Sequence, residues 1–414
     1  MKNLYLKYLR QYSRGIRGCQ RGALGATPAA LALGVLLVGS ACGRAPQAER
    51  TATTRARELQ ARAREQYELG QAAQAAQLLG QATQLLPEDP EVWNDLGLAL
   101  QAQGDWQAAV GAYEHAIVIS PSRWEAHLNL AILLMRRGIS GRARTEFDEA
   151  VRADPSNPLV YWNYGAALAD VGRPEQARAH LLRALDLDPA LGPAHAELGR
   201  VESLANRHQA SLAHFARAGS LGVATASFHA NFGLELLRAG QLLGAEVQLR
   251  RSTELDSTRA VVWNHLGVAR LRRGREREAV DAMRRALALE PDNEDVRFNL
   301  ANAFNRLKRY EDTVRLLREP RPQRAELLAL WAMALRGLGR TREAVPLLRE
   351  ASQRSPRDTH VLNNYGVTLA ETGDLPGALE VWQRVLEIDP SNVMARENLD
   401  ARGGSPPAGG PRKE

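Results

Sequence analysis

The chain has 414 residues, 44% of them hydrophobic, 24% charged and only 5% aromatic. Ala, Leu and Arg dominate, a mixture that favours helix over strand. A formal charge of +7 would suit nucleic acid, but six of the 54 basic residues lie in residues 1–41, which hold no acidic residue; beyond them 48 basic face 47 acidic residues, and the electrostatic case for a nucleic-acid partner goes with that balance.

The first element is the amino-terminal segment. Lys2, Lys7, Arg10, Arg14, Arg17 and Arg21 precede an apolar run, Leu31–Val38, which leads into Gly39, Ser40, Ala41 and Cys42. A basic region, an apolar region and small residues make the layout of a secretory signal. With a cysteine directly after the small residues, the segment resembles a bacterial lipoprotein signal. The resemblance implies a lipid on Cys42, which becomes the mature N-terminus, and a protein tethered to the cell envelope facing the periplasm. Gly43 stands where Asp would signal inner-membrane retention, so the outer membrane is the expected address. Residues 42–55 are polar and contain Pro46, and are expected to be a tether. Cys19 and Cys42 are the only cysteines, so the body has no thiol for a disulfide or a metal. No later apolar run approaches the roughly 18 residues of a membrane span.

From residue 56 a period of 34 residues organises the chain. Units start at 56, 90, 124, 158, 192, 226, 260, 294, 325 and 359, the eighth being three residues short. Position 8 of the frame is always Gly or Ala, from Ala63 and Gly97 to Gly366. Position 20 is always small, and position 24 is large and apolar, from Leu79 and Tyr113 to Trp382. Position 15 is Gly in eight units, and positions 27 and 32 are Ala and Pro in seven each. Small residues at 8 and 20 let two helices cross closely, with position 24 filling the gap beside them. Gly at 15 suits a left-handed turn after the first helix, and Pro at 32 stops the second.

The segments Val92–Leu100 and Val262–Arg270, which read VWNDLGLAL and VWNHLGVAR, carry a W-x2-L-G pattern in the same frame. Together with these columns they resemble the tetratricopeptide repeat over residues 56–392. The resemblance implies an all-α, right-handed solenoid of about ten helix–turn–helix units. It implies a scaffold for proteins or peptides, without catalysis, cofactor or metal.

Two units depart from the pattern. The fifth has Asn206 at position 15, Ser211 at 20 and Val223 at 32; the eighth has Lys308 at 15 and Pro320 where Ala is usual. Either marks a bend or simple drift. Residues 393–402 read as a capping helix and residues 403–414, rich in Gly and Pro, as a disordered tail. No HExxH, CxxC, phosphate loop or GxSxG occurs, and the nine histidines are scattered. His195 and His229 share position 4 and read as surface or inter-helix residues.

In tetratricopeptide arrays the first helix of each unit lines the inner groove, through positions 2, 5, 6, 9 and 13. Position 6 holds five asparagines, Asn129, Asn163, Asn231, Asn299 and Asn364, with His265 in the seventh unit. An amide can donate to and accept from a peptide backbone at once. The column resembles the asparagine ladder of O-linked N-acetylglucosamine transferase arrays; the plain alternative is that it only hydrates the groove. Units six to eight add Arg238, Arg272 and Arg306 at position 13, with Asn264 and Asn302 nearby. Residues 226–324 carry 19 basic and 14 acidic residues, so the expected site for an acidic or C-terminal peptide is the middle groove. The carboxylate clamp known in some arrays pairs Lys at position 5 with Asn at 9, and Asn302 has Phe298 instead. Small tetratricopeptide lipoproteins of pilus assembly, outer-membrane assembly and peptidoglycan-enzyme scaffolding are similar in layout. A recruitment subunit for an envelope glycosyltransferase or polysaccharide-export complex is the alternative.

Overall fold

The computed structural model describes residues 47–403, and Cys42 and the tail from 404 lie outside the described residues. The described residues form 21 α-helices in antiparallel pairs, with no strand among them. The first five pairs are α1 Gln47–Glu68 with α2 Ala72–Leu85, α3 Pro90–Gln103 with α4 Trp106–Ile119, α5 Trp124–Arg136 with α6 Ser140–Ala153, α7 Pro158–Asp170 with α8 Pro174–Leu187, and α9 Gly192–Leu204 with α10 His208–Ser220. The next five are α11 Ala226–Arg238 with α12 Leu242–Leu255, α13 Ala260–Arg272 with α14 Glu276–Leu289, α15 Glu294–Arg306 with α16 Tyr310–Arg318, α17 Ala325–Gly337 with α18 Thr341–Arg354, and α19 Thr359–Glu371 with α20 Leu375–Ile388. A single helix, α21 Val393–Ala401, covers the last pair. The array is an all-α solenoid of repeats. The first helix of each pair is called A below and the second B.

One expectation is corrected at the start. Residues 47–55, read as tether, are the first turns of α1. No Gly or Pro interrupts residues 47–68, Glu49 sits in the positive first turn, and the Thr53 and Thr54 hydroxyls turn back onto carbonyls four residues earlier. Polarity marks exposure, and an exposed helix is as polar as a tether.

The turn between A and B is one device used ten times. Every position-15 residue has positive φ, from Gly70 at 80° to Gly373 at 93°. The two exceptions to glycine keep the conformation, Asn206 at φ 57° and Lys308 at φ 56°. Tertiary packing thus holds even a lysine in the left-handed region, where glycine has no Cβ to clash.

The A–B crossing explains three columns together. Every position-20 residue is fully buried, from Ala75 to Ala378. Where it is polar, its hydroxyl reaches the carbonyl of position 8: Ser211 donates to Gly199 O at 2.8 Å and Thr313 to Ala301 O at 3.4 Å. Position 24 packs directly against the position-8 glycines. A Cβ on Gly165 would lie 2.7 Å from Leu181 Cγ, one on Gly267 2.6 Å from Met283 Cγ, and one on Gly366 2.5 Å from Trp382 Nε1. Tyr113 covers Gly97 in the same way. Interiors packed this closely have no slack for an added methyl.

Units two to five and unit seven are joined to the unit before them through position 4, whose ring nitrogen or hydroxyl reaches the carbonyl six residues back, at the stop of the preceding B helix. Trp93 Nε1 donates to Pro87 O at 2.7 Å and Trp263 Nε1 to Ser257 O at 2.9 Å. Tyr161 does so to Pro155 O at 3.3 Å, and His127 and His195 lie 3.0 and 3.2 Å from Pro121 O and Pro189 O. His195 is therefore a joint residue, whereas His229 meets Gln248 of its own unit.

The eighth unit is irregular for a stated reason. Its B helix, α16, ends at Arg318, just before Pro320, and has nine residues where most B helices have fourteen. The buried Arg297 guanidinium lies against this end, donating to Leu316 O at 2.9 Å and to Pro320 O. It makes no ion pair among the described residues, and burial holds it below its ordinary pKa against the pull of Glu294 and Asp292.

Candidate peptide-binding groove

Successive A helices pack side by side from α3 onward, whereas neighbouring B helices stay apart by comparison. The array therefore curves with its A helices inside, and the inner face carries positions 2, 5, 6, 9 and 13. Position 6 does two different jobs there. Where position 5 of the preceding unit is polar, position 6 stitches the two A helices together. Asn129 Nδ2 donates to Asn94 Oδ1 at 2.9 Å, Asn299 Nδ2 to Asn264 Oδ1 at 3.1 Å, and Gln60 Nε2 to Asp95 Oδ2 at 2.8 Å. Asn163 faces Leu128 at that place and donates to its own helix, at Leu159 O, 2.8 Å away. In units six, seven and ten the preceding position 5 is Ala196, Ala230 or Ala329, which offers no partner. Asn231, His265 and Asn364 accordingly make no side-chain hydrogen bond among the described residues, and the same holds for Asn302 at position 9.

The three arginines of position 13 all reach back to the preceding unit. Arg238 donates to Ser203 Oγ at 3.0 Å, Arg272 to Leu237 O at 3.0 Å, and Arg306 to Glu276 at 2.9 Å. Arg238 also lies 3.5 Å from Glu235. Of the three, Arg272 has no carboxylate partner among the described residues and is exposed.

The structure thus divides the sequence-derived candidates. Asn129, Asn163, Asn264 and Asn299 are occupied within the array, and Arg238 and Arg306 hold acidic neighbours. Asn231, His265 and Asn302, on the adjoining helices α11, α13 and α15, present polar groups without a side-chain hydrogen bond among the described residues, and Arg272 of α13 is held only by the Leu237 carbonyl. Burial, reinforced by Arg238, holds the His265 imidazole below its ordinary pKa, so it is neutral at physiological pH.

The sequence reading missed the groove floor. Position 9 is apolar in most units: Leu98, Ile132, Leu234, Val268, Met333 and Val367. Met333 is 40% exposed, and Val261 at position 2 is 47% exposed. The signal was a column in the same 34-residue frame, passed over because an apolar residue on a helix reads first as core.

Two groove carboxylates behave otherwise. Burial raises the pKa of Asp95, opposed by Arg64 and Gln60, and burial raises that of Glu197 against the pull of Arg200. Among the described residues no cluster of three or more His, Cys, Asp or Glu is placed to hold a metal, and no helix is long and apolar enough to cross a membrane.

Family models described as tetratricopeptide repeat match residues 61–123, 95–158, 159–191 and 230–389. No curated protein matches the chain. Among solved structures it is similar to pilF of Pseudomonas aeruginosa, with 20% identity over 50% of this chain and 94% of that one and a TM-score of 0.47. PilW, described as a widely conserved type IV pilus biogenesis factor, gives 18% identity over 50% and 96% of the two chains and a TM-score of 0.45. YrrB, described as a TPR protein with an unusual peptide-binding site, gives 19% identity over 53% and 96% and a TM-score of 0.29. Such arrays are generally a non-catalytic, protein-interaction fold. With paired helices in register with the 34-residue columns and family models covering most of the array, the chain belongs to the tetratricopeptide-repeat family.

Proposed function

We propose that the chain is an envelope lipoprotein scaffold that holds an acidic, partly apolar protein segment in the groove of units six to eight. The observation that carries this is the set of groups there that have no side-chain partner among the described residues. Asn231, His265, Arg272 and Asn302 offer amide, imidazole and guanidinium donors beside the apolar floor of Leu234 and Val268. Amides pair with a peptide backbone whatever its sequence, whereas the guanidinium selects for a carboxylate. Elsewhere along the groove the polar side chains are largely spent on neighbouring units. The net charge of +5 over residues 226–324 draws an acidic partner to this stretch.

The test is binding of the purified chain to a library of acidic and basic peptides, followed by Arg272→Glu. The variant is expected to weaken an acidic ligand at least tenfold, about 1.4 kcal/mol, while leaving the helical circular-dichroism signal unchanged. Equal affinity for wild type and variant would sink the assignment. Arg272 is preferred to its neighbours because reversing Arg306 would also break its pair with Glu276.

The anchor rests on the sequence around Cys42. Expressed in a bacterium that processes lipoproteins, the chain is expected to fractionate with membranes and to incorporate labelled palmitate. Cys42→Ala should release it and abolish the label. Label retained in the variant would refute the lipid at that cysteine.

A further inference from the structure

The outgoing end of the fifth unit is built unlike the other links. Most B helices end at position 30, with the next backbone N–H bonded to position 27, as Asp188 N is to Ala184 O at 2.9 Å and Asp256 N to Ser252 O at 2.9 Å. Helix α10 ends one residue earlier and closes with Gly222 at φ 82°, the left-handed stop that elsewhere ends A helices. Val223 N bonds Ala218 O at 3.1 Å to complete it. The change of path moves the carbonyl that position 4 would use. His229 keeps the Nδ1 contact that His127 and His195 also make nineteen residues on, to Gln248 at 2.7 Å, but its Nε2, which in those two meets the carbonyl, is buried without a partner. The matched family segments stop at 191 and resume at 230, so this stretch also falls between them.

Other bonds take the place of the missing joint. The Glu235 side chain, fully buried in α11, accepts from Ser203 Oγ at 2.6 Å and lies 2.6 Å from His208 Nδ1. Both partners belong to unit five. Arg238, 3.0 Å from the same Ser203 hydroxyl, closes the cluster. Beside it Phe215 of unit five meets Phe232 and Phe228 of unit six, with ring centroids 5.6 and 6.1 Å apart.

We propose that the junction between units five and six is the hinge of the array, with Glu235 as its latch. A rigid repeat joint uses backbone-directed bonds that recur from unit to unit. Here the joint is instead a side-chain cluster on one buried carboxylate, beside a set of aromatic rings. The latch faces the groove through Arg238, so opening it re-aims units six to eight relative to units one to five. The hinge itself does not depend on any ligand.

Hydrogen exchange of the full chain tests this without a ligand. The amides of residues 221–229 are expected to exchange at least tenfold faster than those of residues 255–263, the regular link of the next junction. Ser203→Ala with Glu235→Gln should speed residues 221–238 by roughly a further tenfold and broaden the solution-scattering size distribution, leaving units one to four and seven to ten unchanged. A complementary variant replaces residues 221–225 with the equivalent stretch 255–259; it is expected to slow exchange to the rate of the regular link. The proposal is overturned if the wild-type link exchanges no faster than its neighbour, if the latch variant loosens all units alike, or if the regularised link changes nothing.

Discussion

Replacing Gly366 by Ala is expected to destabilise the last unit by about 2 kcal/mol, and adding Trp382→Leu to restore most of the loss. Gly366 sits at position 8 of unit ten under the fully buried Trp382, whose Cε2 and Cδ1 would lie 2.8 and 2.9 Å from a new Cβ. The pyrrole edge of the rigid indole faces the methyl, so no flexible side-chain end can swing aside. Ala over Leu is the combination already used by Ala332 with Leu348 and by Ala63 with Leu79, all four buried. Chemical denaturation followed by circular dichroism, with exchange of α19 and α20, gives the answer. A single variant as stable as wild type would remove size matching as the account of these columns; Trp382→Leu alone, which leaves a cavity, should be the less stable partner of the pair.

The second large effect concerns Glu246 in α12, where three guanidinium groups of unit seven converge. Arg270 Nε lies 3.1 Å and Arg275 Nη1 2.6 Å from its Oε1, and Arg273 bonds the other oxygen. Burial pushes this carboxyl up, but the three hydrogen bonds more than reverse that and hold its pKa below the usual carboxylate range. Glu202, buried and bonded by Arg207 and Arg178, is depressed in the same way. Glu246→Gln is expected to weaken the contact between units six and seven by about 2 kcal/mol at pH 7. A depressed folded pKa contributes stability that is present above the unfolded carboxylate range and is lost as pH falls through the folded value. The gap between wild type and variant should therefore narrow steadily below about pH 4 and close in strong acid. Asp95 and Glu197 run the other way, since their raised values favour the fold at low pH and oppose it as pH rises. A gap that stays constant from pH 7 to pH 3 would show that the three arginines do not act through the Glu246 charge.

The legibility of this protein varies with the scale of the question. The 34-residue frame was open to inspection because each column answers a local steric demand. Position 15 needs a left-handed backbone, and positions 8, 20 and 24 share one small volume. Where the frame broke, the substitutions alone misled. Asn206 and Lys308 look like damage yet keep the turn, while Val223, a modest change, marks the place where the link between units takes another course. Helix α1 was read two turns short because a polar run carries no periodic apolar signal.

The groove candidates separate along the same line. The resemblance to tetratricopeptide arrays implied an inner-face position for Asn129, Asn231, Asn299 and Arg272, because it fixes which frame positions line the groove. It could not say which of them are free. That depends on what position 5 of the neighbouring helix offers across the joint: Asn94 and Asn264 hold Asn129 and Asn299, whereas Ala196 leaves Asn231 without a partner. Local spacing determines repeat, helix and face, since those follow from contacts within one unit. Only the stacking of units decides which polar groups are consumed, where the chain bends and which carboxylates are buried, because each of these depends on two segments about 34 residues apart meeting in space.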